Sequence, residues 1–315
     1  MIRIALAAVA VAVLAFGLWF FLVPGPDKLS QIDRMAGGGR GVERAASGVA
    51  FGDHGQRLDV WRPAGARGSN GAARPVIVFF YGGGWHAGTR SGYAFAGRAL
   101  AAQGFVVVVP DYRKVPAVRF PDFVADAAEA VRWTRDHARD FGGDPGRIAL
   151  MGHSAGAYLA VLLGLDARYL IATCADPHVV KAVVGLSGPY DFYPFTTDNS
   201  RNAFGAFPRP EETQPIHYAR ADAPPMLLVT SDADTTVKPR NTRALYAKLK
   251  ELGAPVAMRD YPPLSHEGVV MALSTPFRGR APVLADSIAF LHKALDRPAL
   301  GRQGEDRGDR HGTGK

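Results

Sequence analysis

Five residues, Gly152-His153-Ser154-Ala155-Gly156, join a strand-like segment to a helix-like one, and they restrict the fold more than any other stretch of this 315-residue chain. Arg147-Ile148-Ala149-Leu150-Met151 reads as a strand. From Ala155 to about Leu165, Ala, Leu and Val recur at helical spacing. The match to G-x-S-x-G in a strand–turn–helix context places Ser154 on a tight, strained bend, with its Oγ standing above a sheet. A Cβ at Gly152 or Gly156 would clash across that bend. Ser154 is therefore a candidate nucleophile; the competing reading is a serine in an ordinary glycine-rich turn.

The rest of the body repeats the same alternation. Leu58–Trp61 and Val76–Tyr81 read as strands, Gly92–Gln103 as a helix ended by Gly104, and Phe105–Val109 as a strand buried on both faces. Asp122–Phe141 has apolar residues at helical spacing, at Phe123, Ala127, Ala130, Val131 and Ala138. Beyond the Ser154 turn and its helix, Val179–Leu186, Met226–Thr230 and Val256–Tyr261 read as strands, and Pro239–Leu252 and Val283–Leu295 as helices. Such alternation predicts an α/β fold, a mostly parallel sheet covered by helices on both faces. The first two strands, with no helix between them, are expected to form an antiparallel edge. Residues 188–223, rich in Pro, Phe, Tyr and Asn, break the rhythm; they read as a short lid-like insertion over the site, or as plain surface irregularity.

The two ends differ from the body. Ile4–Val23 is twenty residues without a charge, long enough to span a bilayer as a helix. Arg3 precedes it, Trp19-Phe20-Phe21 stand at its far end, and no small-x-small cleavage site follows. Residues 1–26 are thus expected to be an uncleaved membrane anchor, the alternative being a cleaved signal, and either places the body outside the cytoplasm. Residues 27–48, with Gly37-Gly38-Gly39 and several charges, read as a linker; 49–296 as one domain; and 297–315 as a disordered tail. The net charge of +8 is dispersed, with +2 in residues 1–48 and +2 in 297–315, and no basic run alternates with aromatics. A nucleic-acid surface is not expected. The single Cys174 excludes an internal disulfide and any multi-thiolate metal site. No pair of histidines has metal-ligand spacing, so neither a metal nor another cofactor is expected.

A nucleophile of this kind needs a base, an acid that orients the base, and donors for an oxyanion. Two acids follow the strand Met226–Thr230, in Ser231-Asp232-Ala233-Asp234-Thr235-Thr236-Val237. Asp234, leading into the next helix, suits the orienting role, and Asp232, nearer the strand end, suits holding the turn. His266, five residues past Tyr261, suits the base. His292 falls within the last helix and His311 in the tail; His153 is expected to pack locally, and His86 either borders the pocket or serves the loop. Gly82-Gly83-Gly84-Trp85, after the strand that ends at Tyr81, can turn backbone N–H groups inward, and the Ala155 amide would complete the hole. Trp85 and residues of 188–223 are expected to wall the pocket.

Tyr81-Gly82-Gly83-Gly84-Trp85, Gly152–Gly156, Asp234 and His266 together resemble the α/β-hydrolase superfamily. More narrowly, they resemble its carboxylesterase branch, which includes hormone-sensitive-lipase-like enzymes, feruloyl-esterase-like enzymes and arylformamidases. Asp111-Tyr112-Arg113, Phe120-Pro121, Asp126 and Gly142-Gly143-Asp144-Pro145 extend the resemblance over about residues 50–295. It implies Ser154 as nucleophile, Asp234 and His266 as its partners, and Gly83, Gly84 and Ala155 as oxyanion donors. One departure is Tyr81, where the family usually has a histidine that braces the glycine loop by hydrogen bonds. The short stretch before Tyr81 leaves no room for a helical cap, which favours the feruloyl-esterase-like or arylformamidase-like arrangement. The activity expected is hydrolysis of a small carboxylic ester through an acyl-enzyme, with an arylformamidase-like amidase or a peptidase as alternatives. A catalytically inactive hydrolase fold used as a binding module is the rival of another class.

Overall fold

The computed structural model describes residues 25–65 and 72–296. The apolar run 4–23 and the tail 297–315, and with them the expectations of an anchor and a disordered end, lie outside the described residues. Among the described residues no helix is long and apolar enough to cross a membrane.

The chain runs α1 (Gly25–Met35), β1 (Val42–Phe51), β2 (Gln56–Pro63), β3 (Arg74–Phe80), α2 (Ala94–Ala101), β4 (Val106–Pro110), α3 (Asp122–His137) and β5 (Gly143–His153). It continues through α4 (Ala155–Leu165), α5 (Arg168–Ala172), β6 (Val180–Leu186), α6 (Asp198–Phe204) and β7 (Met226–Thr230). The last elements are α7 (Arg240–Glu251), β8 (Val256–Asp260), α8 (His266–Met271) and α9 (Val283–Leu295). The strands form one sheet in the order β1-β2-β4-β3-β5-β6-β7-β8. Only the β1–β2 and β2–β4 pairs are antiparallel; the other five are parallel. This is the α/β-hydrolase architecture, with helices on both faces: α2 packs against α9, and α3 against α4.

Continuous apolar runs occupy the sheet centre because both of its faces are covered. Val76 to Phe80 in β3, Val106 to Val109 in β4 and Ile148 to Met151 in β5 are all buried. Burying each such side chain contributes about 1.5–3 kcal/mol. The centre therefore sits as a rigid block, and the turns at the carboxyl ends of β3, β5, β7 and β8 hang from it in fixed positions. Ligand sites in parallel sheets form at those ends.

Two expectations fail. Residues 27–48 are not a linker, since they hold α1 and most of β1. The helix is mostly polar and so gives little apolar signal; Leu29 alone enters the core, and charge fixes the rest. Asp33 Oδ2 accepts from Arg98 Nε at 3.1 Å and Nη2 at 2.8 Å, and Asp33 Oδ1 accepts from the Thr275 amide at 2.8 Å. Asp33 and Arg98 are both buried. The packed body accordingly includes residues 25–48 and does not start at 49. The antiparallel edge is also not made by the first two expected strands: β2 pairs with β1 and β4, and β3 lies inside the sheet between β4 and β5. Register shifts between Arg44 and Ala46 and between Ala46 and Val49 destroy the two-residue alternation that would have revealed β1.

Residues 188–223 contain α6 and two short 3-10 turns, Pro210–Thr213 and Pro215–Tyr218. They are not surface irregularity. Phe204 packs edge-on against Trp85 (4.8 Å between ring centroids), Tyr158 and Phe123, and Phe192 stacks on Trp85 at 5.9 Å.

Candidate active site

Ser154 sits between β5 and α4 with φ +55° and ψ −122°, a left-handed conformation that costs a non-glycine residue on the order of 1–3 kcal/mol. The bend is held from three sides. The Ser154 amide donates to the Leu186 carbonyl at 2.9 Å, at the end of β6. A Cβ at Gly152 would stand 2.2 Å from the Gly156 carbonyl oxygen. A Cβ at Gly156 would stand 2.1 Å from that of Phe80, in β3. Only glycine at both places lets the first turn of α4 lie this close to the strands.

His266 opens α8, whose N-cap Ser265 accepts from the Gly268 amide at 3.1 Å. Its Nε2 lies 2.8 Å from Ser154 Oγ, and its Nδ1 lies 2.8 Å from Asp234 Oδ2. The imidazole and the carboxylate are both buried. A carboxylate can only accept, so Nδ1 carries a proton and Nε2 is free to accept one from Ser154. Asp234 Oδ1 accepts the amides of Thr236 (3.0 Å) and Val237 (2.8 Å). Burial works to raise the Asp234 pKa, but the bond and charge of His266 and the two amides outweigh it and hold the carboxyl below its ordinary value. Asp232, the other acid considered, is exposed and pairs with Arg243 at 2.6 Å, away from the imidazole.

The glycine loop approaches the same point. A Cβ at Gly82 would lie 3.0 Å from Ser154 Cβ, and Gly83 and Gly84 have φ of +138° and +57°. The Gly83 carbonyl turns away to accept the amides of His86 (3.1 Å) and Ala87 (2.9 Å). The amides of Gly83, Gly84 and Ala155 donate to no acceptor among the described residues. Tyr81 braces this loop from below. Its ring stacks between Tyr112 (4.9 Å) and Tyr93 (5.7 Å), its hydroxyl donates to Asp111 Oδ1 at 2.8 Å, and Lys114 Nζ donates to that hydroxyl at 3.0 Å. Burial first, then the neighbouring Tyr112 and Asp111, push the Tyr81 pKa far above its ordinary value, so it keeps its proton. The Tyr112 hydroxyl donates to the Tyr81 carbonyl at 3.1 Å. A hydroxyl here makes a hydrogen-bonded brace, as the usual histidine would.

A pocket of about 190 Å³ opens in front of Ser154. Trp85, buried and at φ +62°, walls it with Gly84 and Phe192, and Asn199, Thr236 and Arg240 complete the wall. Asn199 belongs to the 188–223 segment expected to wall the pocket, whereas nothing in the sequence marked Thr236 and Arg240, single polar residues in a loop and at a helix start. His86 is exposed, bonds to the Gly84 carbonyl at 3.1 Å and does not line the pocket. His292 is half exposed and pairs with Asp296.

His153 does more than pack. Its Nε2 donates to the His266 carbonyl at 3.0 Å, which ties the strand-end residue to the backbone of the imidazole. Burial, with the adjacent His266, pushes its pKa down to about 3. The unfolded chain, with a histidine near 6.5, then binds one more proton than the folded one between those values. Stability is complete above pH 6.5 and declines as pH falls toward 3, by on the order of 3 kcal/mol at pH 4. Asp234 adds its own loss only below the ordinary carboxylate range. Thermal melts from pH 7 to 4 should show the wild-type midpoint falling and that of His153→Gln nearly flat; parallel curves would refute this assignment.

The BD-FAE family model matches residues 58–249, more than half of the chain. The chain is similar to esterase LipC of Mycobacterium tuberculosis, at 33% identity over 64% of this chain and 54% of that protein. It is similar to isoprenylcysteine alpha-carbonyl methylesterase ICME of Arabidopsis thaliana, at 28% identity over 80% of this chain and 63% of that one. The chain thus spans less than two thirds of the length of either relative. Among solved structures, the hyperthermophilic esterase from the archaeon Pyrobaculum calidifontis superposes with a TM-score of 0.68 at 25% identity, covering 86% of this chain and 92% of that one.

Proposed function

This chain belongs to the BD-FAE family, and from that premise we propose that it is a serine carboxylesterase acting through Ser154, His266 and Asp234. The observation that carries the reading is one imidazole placed 2.8 Å from both Ser154 Oγ and Asp234 Oδ2. In the proposed reaction His266 Nε2 takes the Ser154 proton as Oγ bonds to the ester carbonyl carbon. The carbonyl oxygen becomes an oxyanion facing the amides of Gly83, Gly84 and Ala155. Collapse breaks the carbon–alkoxy bond, and the leaving alcohol takes the proton from His266. A water molecule, deprotonated by the same nitrogen, then adds to the acyl carbon; the acyl–Oγ bond breaks, the imidazolium returns the proton to Ser154 Oγ, and the acid is freed. Asp234 keeps Nδ1 protonated and balances the imidazolium charge.

Named esterases among the relatives support ester chemistry. Pocket size supports short acyl groups, since about 190 Å³ is below the 300–1,000 Å³ typical of sites for drug-sized ligands. In a p-nitrophenyl ester series from acetate to palmitate, the full-length protein should turn over acetate and butyrate at least ten times faster than palmitate. Preference for palmitate would overturn the size reading, and hydrolysis of none, by folded protein, would overturn the esterase reading. We also propose that residues 4–23 anchor the body to a membrane, outside the cytoplasm. Fractionation with protease protection of intact cells checks this, and recovery of the protein in the soluble cytoplasm would refute it.

A further inference from the structure

We propose that the Ser154 pocket selects esters carrying a second, anionic group, a carboxylate on the acyl chain, and that Lys238 and Arg240 are its selecting residues. The inference rests on the esterase reading above and names its substrate class. Both cations line the same pocket as Ser154, and no Asp or Glu lines it. Neither charged side chain has an ion-pair or hydrogen-bond partner among the described residues; of Lys238 only the carbonyl is engaged, accepting from Asn241. This sets them apart from neighbouring cations. Arg243, three residues along α7, holds Asp232 and Asp260, and Arg201 holds Asp198 at 2.7 Å. The acid closest to the chemistry, Asp234, is committed to His266 and two amides.

Arg240 is also placed against its own helix. It opens α7, where the first turn contains no acidic residue, and a cation at a helix start meets the positive end of the dipole. The pocket thus carries two unpaired cationic side chains, and no acidic residue lines it. A substrate carboxylate would supply the missing charge, and Arg240 could take it in a two-pronged contact. Neutral donors on the wall, Thr196, Asn199 and Thr236, can complete its hydrogen bonds. Hydrolysis itself is unchanged: ester and water give the alcohol and a dicarboxylic acid.

The test compares monomethyl succinate, glutarate and adipate with methyl butyrate, valerate and hexanoate, by titrating released acid with the full-length protein. For at least one chain length, the half-ester should exceed its neutral partner by about tenfold in kcat/KM at low salt, as expected of a surface charge contact. The ratio should fall toward one in Lys238→Ala/Arg240→Ala and in 1 M salt, where screening acts within about 3 Å. In Arg240→Glu it should drop below one. Both side chains are exposed, so the variants should melt with the wild type. Equal rates on charged and neutral esters, or a ratio unmoved by the variants, would overturn this inference and leave the esterase reading intact. Failure to hydrolyse either series would overturn both.

Discussion

Ser154→Ala lowers kcat for p-nitrophenyl butyrate by about five to six orders of magnitude and leaves the melting temperature within a few degrees. The size follows from the unit to which the hydroxyl belongs. Removing one member of a nucleophile–base–acid set costs about as much as removing all of them, roughly a millionfold. What remains is the contribution of the backbone donors and of binding, about 10³–10⁴ over water. Stability is spared because only the hydroxyl goes. Alanine keeps the Cβ that packs against Gly82 and the amide that donates to Leu186, and it occupies the same φ of +55°. A fluorophosphonate probe should label the wild type and not the variant. More than 1% residual activity in a protein free of contaminating esterase would mean that another group attacks the ester.

Gly156→Ala has the larger structural effect. Its new methyl would stand 2.1 Å from the Phe80 oxygen and 2.6 Å from that of Tyr81, both backbone atoms at the carboxyl end of β3, where the glycine loop begins. No side-chain rotation relieves a backbone contact, so α4 must withdraw from β3. Every residue of α4 is buried, and withdrawal opens the core along its whole length. Ordinary overpacking costs about 1–3 kcal/mol; this position should exceed 4 kcal/mol, from a total stability of about 5–15. The expected result is a midpoint lower by at least 10 °C, or insoluble protein. Activity in any surviving fold should fall sharply, because Ser154 and Ala155 move with the helix. Gly279, with nothing within 4 Å of a built Cβ, is the control: Gly279→Ala should be nearly neutral. A melt of Gly156→Ala that matches the control would refute the close packing of α4 on β3.

Sequence revealed the sheet centre and the turn at Ser154 because both are enforced by local chemistry. A strand buried on two faces must be apolar throughout, as Val106–Val109 is, and a bend this tight admits only glycine at its flanks. The turns bearing Asp234 and His266 could be located for the same reason, since each follows a strand that composition marks. Order along the chain then limited the choice to Asp232 or Asp234. Geometry separates the two: one is turned out to Arg243 and the other inward to His266. What escaped was held by long-range polar contacts. Helix α1 is fixed by Asp33 to Arg98, 65 residues away, and to Thr275, 242 residues away, and no periodicity announces such bonds. Strand β1 was hidden by its bulges. The role of His153 depends on the His266 carbonyl, 113 residues distant.

The clamp on α1 has a mechanical meaning. A glycine-rich linker would let the body tumble about whatever precedes it. A helix locked to α2 through Arg98 and to the segment after α8 through Thr275 behaves as a strut. The direction in which the chain leaves Gly25 is therefore set relative to α8, the helix that His266 opens. A restraint applied at Gly25 itself would aim the mouth of the Ser154 pocket as well as tether it.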